Sequence, residues 1–178
     1  MSERKFDLEE AVAILERTPE SLNALLRGLP ETWLSATEED ESWSPYDVIG
    51  HLIQGERTDW MARARHILSG EQRPFDPFDR TAQFADSKGK SVDELLSTFA
   101  TLRRQNLAEL AAMKLTSRDM DRKGQHPDFG EVTLGQLLST WLVHDMDHVS
   151  QIARTIAKVY TGAVGPWTAY LSILKDRV

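Results

Sequence analysis

The sequence predicts an all-α protein: a four-helix bundle with long crossover loops and a short extra helix near the C-terminal end. Three observations lead there. Apolar residues recur at helical spacing in four stretches, each opened by a capping signal. Alternating apolar and polar residues, the mark of a half-buried strand, are almost absent. The segments between the stretches are long enough for neighbouring helices to run parallel as well as up and down.

The first stretch opens at Asp7-Leu8-Glu9-Glu10, an acidic cap with Glu three residues on, and carries Val12, Ile14 and Leu15. Thr18-Pro19 interrupts it, because proline fits a first helical turn and threonine can cap it. Leu22, Leu25, Leu26 and Leu29 continue the apolar face, and Gly28 and Pro30 end it. Residues 30–43, with Glu38, Glu39, Asp40 and Glu41, read as a solvated linker.

Ser44-Pro45-Tyr46-Asp47 is a strong start: Ser44 caps, Pro45 takes the first position and Asp47 suits the positive helix end. The pattern predicts one helix through Leu68 to Gly70, with Val48, Leu52, Trp60, Ala64 and Ile67 inward. Residues 70–90 read as an irregular connection pinned to the bundle by Phe75, Phe78 and Phe84.

Ser91-Val92-Asp93-Glu94 is a capping box, opening a helix to about Met113 with Leu95, Phe99, Leu102, Leu107 and Leu110 for the core. Residues 114–132 read as irregular, with a short extended piece at Phe129-Val132. Thr133-Leu134-Gly135-Gln136 opens the last long helix, to about Tyr160. Trp167 to Leu174 reads as a short terminal helix.

A chain of 178 residues fits a single domain spanning 1–178, with enough length to bury a core. The net charge of −7 disfavours a nucleic-acid or anionic-membrane partner, since both require clustered positive charge. No cysteine is present, which excludes disulfides, thiolate metal sites and protein thiol catalysis. Any bound metal must therefore take nitrogen and oxygen ligands. The start, Met1-Ser2-Glu3-Arg4-Lys5, leads into no apolar run, and no stretch approaches a membrane span. A cytoplasmic protein is the expectation.

The last long helix contains His144 and His148. At i and i+4 they share one face, roughly 5–6 Å apart at Cβ, a spacing able to grip one divalent ion. On a helical wheel they fall with Leu137, Thr140, Trp141, Gln151 and Thr155 on the more apolar side; Asp145 lies opposite, in the solvated position, and Asp147 at the edge. A third ligand could come from His51, His66 or His126. His51 and His66 stand about 22 Å apart along a straight helix, so they cannot share one ion. His51 is the preferred candidate, because bundle metal sites take side chains from facing helices. His66 and His126 read as surface or loop residues, Trp43, Trp141 and Trp167 as core aromatics, and Arg57 and Arg63 as solvated or ion-paired.

The run from Trp43 through His51-Leu52, and Thr133-Leu134-Gly135-Gln136 leading to His144-Asp145-Met146-Asp147-His148-Val149-Ser150-Gln151, resembles the DinB/YfiT-like family, as do Tyr160, Gly165-Pro166-Trp167 and Tyr170-Leu171. The resemblance implies a crossover four-helix bundle, often a homodimer, with His51, His144 and His148 holding one divalent metal, zinc or nickel. It further implies a metal-dependent S-transferase, with a small-molecule thiol attacking an electrophile. The alternatives are a metal-dependent hydrolase and a non-catalytic, metal-stabilised dimeric stress protein. Asp147 and Gln151 are candidates for orienting the ligand imidazoles, and Arg63 for binding an anionic cosubstrate.

Overall fold

A computed structural model describes residues 5–175; Met1–Arg4, read above for a leader, lies outside them. In chain order the elements are helices α1 (Leu8–Leu15), α2 (Thr18–Leu26), α3 (Glu31–Leu34), α4 (Pro45–Thr58), α5 (Trp60–Ser69), α6 (Ala82–Ser87) and α7 (Val92–Ala112). Strands β1 (Lys123–His126) and β2 (Gly130–Thr133) follow, then α8 (Leu134–Lys158) and α9 (Thr161–Val164). Short 3₁₀ turns lie at Asp119–Asp121, Gly165–Tyr170 and Ser172–Leu174.

Capping chemistry sets the long helices. Capping boxes join Ser44 to Asp47, Ser91 to Glu94 and Thr133 to Gln136, and Asp7 accepts the Glu10 N–H at 3.0 Å. The expected single helix to Leu68 is broken at Asp59 (φ −110°, ψ −77°). Helical bonds persist across the break, from Asp59 N to Gly55 O and Arg63 N to Asp59 O, so the rod bends without ending. Trp60, just after it, is buried and stacked on Trp141 at 5.9 Å.

Cross-helix contacts give the direction of each rod. Arg27 pairs with Asp93, while Arg103 reaches the Leu15 carbonyl, so α1–α2 and α7 run antiparallel. Glu56 meets Arg103 and Arg65 meets Glu109, so α4–α5 and α7 are parallel neighbours. His51 lies beside His144 and His148 while Trp60 lies beside Trp141, so α4–α5 and α8 are antiparallel. The parallel pair requires the long crossover between α5 and α7, and the four-helix bundle has the expected crossover form.

Apolar burial is divided into two clusters. One gathers Leu15, Trp60, Met61, Ala64, Ile67, Leu107, Leu110, Leu134 and Trp141; the other gathers Leu22, Leu26, Val48, Ile49, Leu52, Leu95, Phe99 and Ile152. Between them lies Arg103, 1% exposed, which uses all five N–H groups. It makes a bidentate pair with Asp145 (2.6 and 2.9 Å), two bonds to Glu56 Oε1 (2.8 and 3.1 Å) and one to the Leu15 carbonyl (2.8 Å). Trp141 Nε1 and the Asn106 amide complete Glu56.

Several expectations change. Asp145, placed in solvent by the wheel, is fully buried, because α8 is enclosed on both faces and α7 supplies the matching guanidinium. Residues 30–43 hold α3, and Glu38 is tied to Arg154 at 2.6 Å and Lys158 at 3.3 Å. The 70–90 connection contains α6, and the extended piece expected at Phe129–Val132 is strand β2, paired antiparallel with β1 in a hairpin that sets Lys123 against Thr133. Trp141 is core, Trp43 is half-buried, and Trp167 is 68% exposed in a 3₁₀ turn. Phe75 is buried as expected, whereas Phe84 is 47% exposed. Among the described residues no helix is long and apolar enough to cross a membrane.

Arg103→Met leaves Glu56 and Asp145 buried without their cation. It should cost about 3–5 kcal/mol of stability in urea unfolding, and adding Glu56→Gln and Asp145→Asn should recover much of the loss.

Candidate metal centre

His51 comes from the first half of α4, and His144 and His148 from adjacent turns in the second half of α8. Their Nε2 atoms converge: His144 Nε2 lies 3.1 Å from that of His51 and 3.1 Å from that of His148. One nitrogen from each of the three lies within 4.8 Å of the others. A tetrahedral zinc with nitrogen bonds of about 2.0–2.1 Å would hold its ligand nitrogens about 3.3 Å apart, close to what is observed.

The hydrogen bonds fix which nitrogens are available. His51 Nδ1 donates to Gln83 Oε1 at 3.0 Å and His148 Nδ1 donates to Gln151 Oε1 at 2.8 Å. Each neutral ring therefore presents an Nε2 lone pair to the common point. His144 Nδ1 is buried without a hydrogen-bond partner among the described residues. If His144 carries its proton on Nδ1, three lone pairs face one another; if on Nε2, one proton serves two lone pairs. A cation between the rings relieves either arrangement, so the donor set could hold a divalent metal.

Burial sets the protonation of these rings. It is the main cause that lowers His51 to about 4 and His144 to about 3, and it also lowers His148. Mutual repulsion adds to the effect at His51 and His144, while Gln151, Asp147 and Asp145 oppose it at His148. All three rings are thus neutral at pH 7, the form a metal requires.

Aromatic walls limit water. Trp43 lies 4.7 Å from the His51 ring and 6.3 Å from His148, Phe78 lies 5.4 Å from His51, and Trp60 lies 5.1 Å from His144. The imidazoles open into a cavity of about 580 Å³ whose lining includes Asp59, Trp60, Arg63, Phe75, Arg80 and His126.

Gln151 lies beside the cluster, its Oε1 2.8 Å from His148 Nδ1, while Asp147 is exposed. The corresponding group for His51 is Gln83, on α6, a residue with no distinguishing signal inside a stretch read as irregular. α6 packs closely over Gly50: a Cβ there would stand 2.5 Å from Ser87 Oγ, so the Ser87 hydroxyl would have to turn aside. His66 is bound to the Arg73 carbonyl with its side chain 8% exposed, away from the cluster. His126, read as a surface or loop residue, ends β1 and lines the cavity. Arg57 pairs with Asp86 and Arg63 with Asp59, as expected of ion-paired residues, and Arg63 also lines the cavity.

Three imidazoles that could hold a metal ion converge from two rods of a four-helix bundle, and comparison with known proteins identifies the family of that bundle. The family model of the DinB superfamily matches residues 14–152, and the chain belongs to that superfamily. It is 25% identical over 146 residues to YfiT of Bacillus subtilis (strain 168), named as a putative metal-dependent hydrolase, with 80% of each sequence covered. The structure of YfiT, with its unusual four-helix bundle topology, matches with a TM-score of 0.76 at 22% identity, covering 89% of this chain and 93% of that one. The four-helix bundle protein TT2238 matches with a TM-score of 0.56 at 26% identity, covering 83% and 98%.

With pKa values lowered from 6.5 to about 4 and about 3, His51 and His144 stay neutral in the folded chain while the unfolded chain takes up protons. Their contribution is complete above pH 6.5 and is lost as pH falls towards 4. Urea unfolding of chelator-treated protein should show lower stability at pH 5 than at pH 7. The His51→Ala/His144→Ala double variant should show a smaller drop.

Proposed function

We propose that this chain is a metal-dependent enzyme in which His51, His144 and His148 hold one divalent cation, zinc or nickel. The observation that carries the assignment is the meeting of three Nε2 atoms on one point, two of them aimed there by glutamine side chains. Three neutral donors leave the ion's charge uncompensated, so a divalent ion would act as a Lewis acid that lowers the pKa of a water or thiol. Gln83 and Gln151 hold the imidazoles in one tautomer and one orientation. Trp43, Phe78 and Trp60 keep the surroundings poor in water, which strengthens every charge interaction inside.

The reaction we favour is transfer of a small-molecule thiol to an electrophile. A cavity of about 580 Å³ has room for two small molecules together. The chain carries no cysteine of its own to compete for the electrophile. The resemblance of the His51 and His144–His148 segments to thiol-using relatives supports the same reading. Hydrolysis is the second reading, favoured by the name given to YfiT; there water takes the place of the thiol.

Zinc- or nickel-loaded protein should contain one equivalent of metal and melt at higher temperature than chelator-treated protein. His51→Ala and His148→Ala should lose that metal, and Gln83→Ala should bind it about 10- to 100-fold more weakly in chelator competition. Loaded protein assayed with several biological thiols and a chromogenic electrophile should turn over only when thiol is supplied. Turnover of an ester without thiol would transfer the assignment to hydrolysis. Wild-type affinity retained by both histidine variants would remove the metal centre.

A further inference from the structure

We propose that the end of the cavity remote from the imidazoles is an anion-binding subsite built on Arg63, and that the substrate carries a carboxylate there. The proposal rests on the reading of this cavity as the substrate site.

Arg63 lines the cavity with its side chain only 13% exposed. Its Nε lies 2.5 Å from Asp59 Oδ1, an ion-pair contact whose direction falls short of hydrogen-bond geometry. Its guanidinium carbon stands 5.3 Å from the centre of the Phe75 ring. Asp59 and Phe75 thus hold the group from one edge and one face. The two terminal nitrogens make no hydrogen bond to any described residue. Arg103 in the same protein engages all five of its N–H groups. Arg63 is a largely buried guanidinium with its outer fork open, the geometry that matches a carboxylate with two parallel bonds.

Two neighbours strengthen the site. His126 Nδ1 accepts the backbone N–H groups of Asp128 (3.1 Å) and Phe129 (3.3 Å), so its neutral ring carries the proton on Nε2 and is a donor. Arg80 also lines the cavity. Asp128 also lines the cavity, but its carboxylate, 4.0 Å from His126 Nδ1, is 80% exposed and so well screened by solvent.

The spacing defines the molecule. His51, Gly55, Asp59 and Arg63 recur every four residues, so they face one side of the bent α4–α5 rod. His51 and Asp59 are about 12 Å apart along the axis. The rest of the lining includes the apolar side chains of Trp60, Leu137 and Phe78. The fitting substrate is elongated, apolar in the middle and anionic at the end away from the imidazoles.

The test uses 4-phenylbutanoate and its neutral amide as probes, titrated calorimetrically into the full chain, both chelator-treated and zinc-loaded. The carboxylate should bind about tenfold more tightly than the amide in both preparations. Arg63→Gln should abolish the preference while amide binding stays; Arg63→Lys should keep part of it; Arg57→Gln, outside the cavity, should keep all of it. In the wild-type chain the carboxylate, and not the amide, should slow phenylglyoxal modification of Arg63, read by peptide mass spectrometry. This readout needs no variant to fold. Equal affinity for the two probes, no binding of either, absence of protection, or a preference that survives Arg63→Gln overturns the proposal. A preference confined to zinc-loaded protein also overturns it, since the carboxylate would then sit on the ion. Because the chelator-treated arm needs no metal, failure of the metal assignment leaves this result readable.

Discussion

The guanidinium of Arg103 is the constraint on which the bundle's register depends. Taking a cation and two carboxylates out of water is expensive, and the interior compensates only when the geometry leaves nothing unpaired. Here one planar group meets Asp145 on α8, Glu56 on α4 and the Leu15 carbonyl on α1 at 2.6–3.1 Å. Burial alone would lower the pKa of Arg103, but Asp145 and Glu56 outweigh it and hold the group charged. Burial pushes Glu56 up, with Arg103 as the main opposing influence. An axial slip of one residue between α4 and α8, about 1.5 Å, would break bonds of this length. The same lock places His51, five residues before Glu56, against His144 and His148, which bracket Asp145 on α8. The imidazoles meet because the ion cluster fixes the two rods that carry them.

The electrostatic consequence reaches the imidazoles from the side. Arg103 discourages protonation of His144, while Asp145 and Asp147 encourage it at His148. Desolvation exceeds both influences and keeps the rings neutral. A bound ion would bring its own charge into a layer already containing two carboxylates for one guanidinium, which favours it.

Much of this was legible in the sequence, where local chemistry decides the outcome. Capping boxes at Ser44, Ser91 and Thr133 mark the three long-helix starts to the residue, because side chain and backbone three residues apart satisfy each other whatever the tertiary fold. The i, i+4 pair of His144 and His148 and the inward face of His51 follow from helical geometry alone. The bend at Asp59 was not legible, since neither proline nor glycine marks that position and Trp60 and Trp141 meet only in three dimensions. The burial of Asp145 was missed because a wheel separates apolar from polar faces but does not show that another helix brings an arginine to the polar one. Gln83 and His126 lie in segments whose backbone is placed by packing against Gly50 and by pairing with β2, and no local pattern announces either.

Two arginines show how a closed and an open polar group differ within one chain. Arg103 is closed: every donor has its acceptor, and a ligand could add nothing. Arg63 is held with equal care at one edge and one face, yet its outer nitrogens are open to a cavity. His144 stands in the same relation to its neighbours, since His51 and His148 are oriented by glutamines while its own Nδ1 has no partner. A buried donor left unmatched costs roughly 1–3 kcal/mol, and folding alone gives no reason to retain it. Both incomplete groups lie along one cavity whose remaining walls are largely apolar. The fold thus leaves the open fork of Arg63 and the three converging imidazole nitrogens along one cavity, where a small anion and a metal ion would complete them.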